Sequence, residues 1–405
     1  MRRIIAFNLF LFLITSVQTA NAEDRFGDAL SNGEFDLSFR YRYEFVEEDP
    51  FAKDAKASTL RTRLTYESAE FLSTKFLLEF SNVSSIGNEL YNSTRNDVRN
   101  RPIVADPTGT EVNRAQFLIT AIPKSDLTLG RQRINLDNQR FIGGVAWRQN
   151  EQTYDAVRFI NHGVDDTALQ VGYLSKVHRV FGPDSGTPTN EFDSDSPYLH
   201  VHYSGWGVGA LSVYGYFLDL ENAPDQSNQT VGARFVGKYD WSKDRTLGYA
   251  VEYAYQQDYE DNPSDYSASY TLLEGEFTTG RMTAHLGYAV LSGSSNRADH
   301  RFITPLATLH KFQGWADKFL ITPPAGVEDL YFGVSGSVSG FQWSVRYHDF
   351  DPEAGDGRYG EELDLSMGKS FLKRYNVLVK FADYNAKDIA TDTTKFWVQL
   401  TANFL

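Results

Sequence analysis

The chain of 405 residues contains no cysteine, only 3 methionines, 8 histidines and 13 prolines. Without cysteine there is no disulfide scaffold, no thiolate metal site and no cysteine nucleophile. An exported chain lacking thiols also crosses an oxidising compartment without mispairing. Basic residues are in deficit, 39 Lys and Arg against 53 Asp and Glu, for a formal charge of −14. That balance, with no basic tail, excludes nucleic acid as a partner. Long apolar runs are missing too: mean hydropathy is −0.41. The one extended apolar stretch, Ile4–Val17, is shorter than the ~20 residues a membrane helix needs. Arg2 and Arg3 precede it and Ala20-Asn21-Ala22 follow it, the pattern of a secretory leader cleaved after Ala22. No linker or low-complexity segment divides residues 23–405, which read as one domain.

Aromatics are abundant instead, with 29 Phe, 23 Tyr and 6 Trp. They fall on alternate positions. In Phe35–Phe45 the odd positions are Phe35, Leu37, Phe39, Tyr41, Tyr43 and Phe45, and the even ones Asp36, Ser38, Arg40, Arg42 and Glu44. Strict alternation marks a strand with one apolar and one polar face. Its length suits a tilted membrane strand of ~9–11 residues better than a soluble strand of ~5–6. The pattern recurs in eighteen candidate strands: 35–46, 58–68, 73–83, 111–121, 127–135, 152–160, 167–178, 197–204, 208–220, 229–239, 246–257, 268–278, 281–291, 328–338, 341–350, 361–369, 375–384 and 395–405. Gaps are mostly long after odd strands, the longest being 84–110 and 292–327, and short after even ones, as at 279–280 and 339–340. Long outer loops and short periplasmic turns are the signature of an antiparallel outer-membrane β-barrel. The predicted fold is therefore all-β, a single transmembrane barrel of about 18 strands in a Gram-negative outer membrane. Its surroundings are lipid and lipopolysaccharide, and its biogenesis calls for barrel-assembly machinery.

Lys or Arg facing lipid at mid-bilayer costs ~2–4 kcal/mol, so the charged face must line the lumen. Sorting by parity puts Arg40, Arg42, Arg61, Arg63, Lys75, Arg114, Lys176, Arg234, Lys238, Arg281, Arg346 and Lys380 inside. The acids on the same side are Asp36, Glu44, Glu67, Glu79, Glu252, Glu362 and Asp364, and the surplus acid is expected in loops such as Glu47-Glu48-Asp49, Asp193–Asp195 and Asp258–Asp261. An acidic protein with a positive bore favours anions. The alternative is a ladder of arginines and acids that merely satisfy one another. Leu127–Arg148 breaks the alternation, since Arg131 and Arg133 share a face with Leu127 and Leu129, and Gly143-Gly144 and Trp147 follow. A loop folded inward there would narrow the pore; an outer loop packed on its neighbours is the competing reading.

Four segments carry a resemblance: GRQRINLDNQRFIGGVAWRQNEQTYDA (130–156), VADPTGTEVNRAQF (104–117), TPLATLHKFQGWADKFL (304–320) and GVEDLY (326–331). Together they resemble the alginate-export-domain outer-membrane proteins. The resemblance implies an eighteen-stranded barrel passing an anionic uronate polysaccharide through an arginine-lined constriction. On that basis Arg131, Arg133, Arg140 and Arg148 belong to the constriction, with Asp155 as balancing acid. The last periplasmic turn, 370–374, is too short for the long pore-covering loop of the alginate exporter, so a smaller sugar acid is as fitting a solute as alginate. Phe404 is penultimate, whereas such barrels usually end on an aromatic.

No Gly-x-Ser-x-Gly elbow, phosphate loop or His-Glu-x-x-His helix occurs. His200 and His202 share a strand face without a third metal ligand in view. The expectation is a channel for anionic saccharides, with no catalytic residues, metal or cofactor. The alternatives are a barrel hydrolase using a lumenal Ser and His, and a closed structural or adhesive barrel.

Overall fold

The computed structural model describes residues 22–404; apart from Ala22, the candidate leader lies outside them. A short helix, α1 (Ala22–Ser31), precedes eighteen strands. The strands are β1 (Glu34–Glu48), β2 (Ala55–Glu67), β3 (Thr74–Ser85), β4 (Gly109–Ile119), β5 (Ser125–Gln132), β6 (Thr153–Asn161), β7 (Thr167–His178), β8 (Glu191–Trp206) and β9 (Gly209–Leu218). They continue as β10 (Asn228–Ser242), β11 (Arg245–Asp258), β12 (Ser267–Thr279), β13 (Met282–Leu291), β14 (Val327–Val338), β15 (Phe341–Asp351), β16 (Gly360–Phe371), β17 (Tyr375–Ala386) and β18 (Thr393–Phe404). Each pairs antiparallel with its chain neighbours, and β1 closes the ring on β18 from Leu37↔Phe404 to Glu48↔Thr393. Closure leaves no edge, which lipid requires because it offers backbone groups no hydrogen bonds.

The wall inverts the burial of a soluble protein. On β1 the even positions Ser38, Arg40, Arg42 and Glu44 are buried, while Phe35 is 61% exposed. Leu286 and Phe332, on β13 and β14, are 61% and 57% exposed. Such an apolar exterior is stable only in lipid. Trp206, Tyr239, Trp241, Phe341 and Phe371 form an outward aromatic belt at the rim of the short turns. Leu286→Arg, at the middle of β13, should destabilise the barrel by ~2–4 kcal/mol, read as a shift of urea unfolding in phospholipid vesicles. An unchanged midpoint would contradict a lipid-facing Leu286.

Connections after odd strands are long, notably 86–108, 133–152 and 292–326, and those after even strands are short. Strand β5 ends at Gln132, not 135, Glu47, Glu48 and Asp258 lie on strand ends and not in loops, and the largest boundary shift is at β8. Strand β8 begins at Glu191, not 197, so Asp193 and Asp195 stand on a strand and not in a loop. Its first turn of sequence alternates acid with Ser and carries little apolar signal, because that end rises past the lipid band.

Candidate pore constriction

The β5–β6 loop (133–152) folds inward and spans the bore from wall to wall. Asp137 fixes one side: it accepts a hydrogen bond from Ser212 Oγ at 2.7 Å and meets His200 Nε2 at 2.8 Å. Phe141 then packs against Tyr214 and Tyr216 on β9, Tyr270 on β12, and Phe302 of the β13–β14 loop (292–326), ring centroids 5.3–6.0 Å apart. The two loops lie parallel as a bridge between Ile142 and Leu306. Gly143 N–H donates to Leu306 O at 3.0 Å, and Thr308 N–H to Gln139 O at 3.0 Å. A side chain at Gly143 would collide with Thr308 Oγ1 and Gln139 Cβ, which is why this approach needs glycine. Arg140 is buried between Phe312 (4.6 Å) and Tyr270 (5.1 Å) and donates to Gln313 Oε1 at 2.8 Å. It pins one loop to the other and does not present its charge to the bore.

The opposite end of the loop is held by a buried charge cluster. Arg148 lies 3.3 Å from Glu44 of β1 and 3.0 Å from Asp317 of the β13–β14 loop. Asp317 also meets Lys395 of β18 at 2.8 Å and His310 Nδ1 at 2.7 Å. Lys380 of β17 donates to His310 Nε2 at 2.8 Å and lies 3.6 Å from the Trp315 ring and 4.1 Å from the Trp147 ring. His310 stacks on Trp147 at 4.6 Å, and Arg42 covers the Trp147 ring at 4.0 Å. The ring of His310 is neutral: its Nδ1–H donates to Asp317 and its Nε2 accepts from Lys380. Burial pushes its pKa down to about 3, Asp317 opposing and Lys380 adding to the fall. Burial acts to raise the Asp317 carboxyl, but His310, Lys395 and Arg148 hold it well below the usual carboxylate range.

A pH dependence follows for docking of the β13–β14 loop. Between about pH 6.5 and 3 an undocked His310 binds a proton that the docked ring does not, so docking weakens as pH falls through that window. Asp317 adds the same sign, its contribution being lost as pH falls below the ordinary carboxylate value. Hydrogen exchange across residues 305–320 should therefore be faster at pH 4.5 than at pH 7 after correction for the intrinsic rate, and His310→Gln should flatten the slope. An unaltered slope in that variant would remove His310 from the account.

A row of arginines lies on the β1–β5 wall. Arg40 and Arg61 stand directly opposite each other in register. Arg40 donates to Gln149 Oε1 at 2.9 Å and Ala146 O at 2.8 Å, both in the β5–β6 loop. Arg42 donates to Gln399 Oε1 at 2.6 Å and faces Asp106 of the β3–β4 loop at 3.5 Å. Arg63 lies 3.5 Å from both Glu79 and Glu151. Arg114 clasps Glu79 with two bonds of 3.1 and 2.6 Å, and Arg133 Nε donates to Glu151 at 3.1 Å. Among the described residues no carboxylate lies within 4.0 Å of Arg40 or Arg61, and Arg61 Nε has no hydrogen-bond partner. Cations thus outnumber the acids that serve them. On the far wall Arg234 pairs with Glu252 at 2.7 Å, and Arg346 lies over Tyr331 at 5.2 Å.

The lumenal side thus carries Arg40, Arg42, Arg61, Arg63, Arg114, Arg234 and Arg346 on its strands and Arg133 on the inward loop, whereas Arg148 is buried in the charge cluster that holds that loop. Arg131 and Asp155 depart from the expectation. They form an ion pair of 2.8 Å, with His178 at 2.9 Å from the same acid. However, they are cross-strand partners on the face of Leu127, Leu129 and Val157, which is the lipid-facing side. The pair continues that face at the outer ends of β5 and β6, away from the constriction. Lys176 is likewise outside, bonded to Glu191 and Asp193, because an irregularity between Leu174 and Lys176 shifts the parity of β7. Sequence parity had no means to register that shift. Asp317, His310 and Lys395 were missed; the first two lie in a loop without periodicity, and their one signal was the resemblance over 304–320.

His200 and His202 do not converge on a metal: His200 faces Asp137, and His202 Nδ1 lies 3.1 Å from Ser212 Oγ. Ser212 gives its proton to Asp137, so it is not held by His202 as a nucleophile would be. Among the described residues no group of three acids or histidines is placed to hold a metal ion.

No family profile matches the sequence, and no curated protein does. The fold, however, is similar to solved outer-membrane porins. OccAB4 of Acinetobacter baumannii superposes with a TM-score of 0.72 at 15% identity, covering 92% of this chain and 98% of that one. OpdK of Pseudomonas aeruginosa, solved with vanillate, gives 0.71 at 14% identity over 93% and 99%. OpdQ of the same organism gives 0.69 at 14% identity over 93% and 99%. These neighbours are channels, not enzymes. The eighteen-strand outer-membrane architecture implied by the alginate-export resemblance holds, while the similar structures are Occ and Opd channels, not alginate exporters.

Proposed function

We propose that this chain is an outer-membrane channel for small anionic solutes, carboxylates of the size of a uronate or other sugar acid. The observation that carries the reading is the arginine row of β1 and β2, where Arg40 and Arg61 face each other without a carboxylate of their own. Like charges directly opposite destabilise a sheet. The juxtaposition is explained if a passing anion supplies the missing charge, and arginine pairs with carboxylates through two parallel bonds. A small solute fits better than a polymer, because two loops span the bore and are tied to both walls. Vanillate, the ligand of OpdK, is a carboxylate of that size. Planar-bilayer recordings test the reading. A reversal potential favouring chloride over potassium is expected, with chloride current reduced by glucuronate and by vanillate more than by alginate oligomers. Cation preference would overturn it. A silent bilayer would instead favour a closed barrel, the reading supported by the wall-to-wall packing of Phe141 and Trp147.

A further inference from the structure

We propose that α1 and the β2–β3 turn form a docking patch for the phospholipid of the periplasmic leaflet, so that the helix lies in the headgroup boundary as an anchor. The sequence of α1 is amphipathic. Phe26, Ala29 and Leu30 follow at helical spacing on one face, and Arg25 and Asp28 stand off it. Only part of the apolar face is used by the protein. Ala29 is buried, and its carbonyl accepts from Ala69 N–H at 3.0 Å. Tyr66 OH donates to Leu30 O at 2.5 Å, and Phe26 meets Phe71 edge-on at 5.6 Å. These bonds hold the helix against the rim, yet Phe26 and Leu30 remain 52% and 41% exposed, beside Leu72 of the turn at 63%.

The placement says what covers them. Tyr66 is the register partner of Phe35 and packs on its ring at 5.0 Å. Both residues share the lipid-facing parity of β1 and β2. The helix is thus held through Tyr66 to the outward, lipid-facing side of the wall, next to the exposed ring of Phe35. Withdrawing exposed apolar side chains from water is favourable, and an amphipathic helix finds that gain at the headgroup boundary. A tethered helix that also grips the β2–β3 turn would hold the arginine-bearing strands at a set depth in the membrane.

The lack of cysteine makes the test direct, and it rests on the membrane reading of the barrel, which carries its own control. Single variants Phe26→Cys, Leu72→Cys, Asp28→Cys and Leu286→Cys are labelled with an environment-sensitive fluorophore. The labelled proteins are reconstituted in phosphatidylethanolamine–phosphatidylglycerol vesicles. Nitroxide-bearing lipids should quench the labels at Phe26 and Leu72 to an extent approaching that at Leu286, and aqueous iodide should quench the label at Asp28 several-fold more strongly. Iodide quenching at Phe26 and Leu72 equal to that at Asp28, with Leu286 still quenched by lipid, would overturn the proposal. Shielding of Phe26 from both quenchers would overturn it too, since that is the mark of a protein contact. Failure of lipid to quench Leu286 would sink the membrane reading itself. Phe26 and Leu72 lie outside the closure of the barrel, so heat-modifiable migration of the variants confirms that each one folded.

Discussion

Replacing Asp317 with alanine should release the β13–β14 loop and raise single-channel conductance severalfold. Asp317 is buried among Arg148, Lys395 and His310, at 3.0, 2.8 and 2.7 Å. Removing one partner of a buried ion pair costs ~3–5 kcal/mol, because the other charges stay behind uncompensated. Here the loss falls on the docked state alone: a loop swung outward returns its charges to water. A shift of that size changes the ratio of docked to undocked loop by roughly 10²–10⁴. The barrel's own ladder is untouched, so folding should persist while the bore widens. Lys318, which ties the same loop to Glu48 at 2.7 Å, offers a weaker, partly exposed pair whose loss should matter less. Conductance equal to that of the parent, in a variant that still folds, would mean that this cluster does not hold the constriction.

Neutralising Arg40 and Arg61 together should strip most of the anion preference. A charge at roughly 8 Å from a permeating ion contributes about 1 kcal/mol at an effective dielectric of ~40. Losing two shifts each ion by about 2 kcal/mol in opposite senses, so the chloride-to-potassium permeability ratio should fall by at least tenfold at low salt, and less as screening sets in. Stability should respond in the opposite sense to intuition. Arg61 faces Arg40 and has an unpartnered Nε, so Arg61→Gln relieves repulsion and should cost little or stabilise. Arg148→Ala, by contrast, strands Glu44 and Asp317 and should be costly. The pair of measurements separates arginines kept for the bore from arginines kept for the fold. Equal reversal potentials before and after would place Arg40 and Arg61 out of reach of the permeating ion.

The comparison of Arg133 with Arg131 shows where reading by residue pattern stops. Both follow Leu127 and Leu129 on one parity, and both belong to the segment that broke the alternation. Arg133 is one residue beyond the end of β5, where the chain has left the sheet and turned in, and it reaches Glu151. Arg131 is still in the ladder, held outward opposite Asp155. Nothing local distinguishes them. The difference is set by which backbone hydrogen bond is the last one made. Lys176 carries the same lesson, its side reversed by one extra residue in β7.

What the linear sequence determined by itself is the wall. Alternation with a period of two, repeated over eighteen segments, leaves each strand one greasy and one charged face, and the cost of a bare charge in lipid dictates which way round they go. Those are nearest-neighbour and solvent effects, written residue by residue. The constriction was decided elsewhere. Asp317 meets Lys395 and Arg148, Arg148 meets Glu44 and His310 meets Lys380 only because closure of the ring brings β1, β17 and β18 against two loops far apart in the chain. Buried charges find their counter-charges through space, and no periodicity along the chain encodes which distant group that will be.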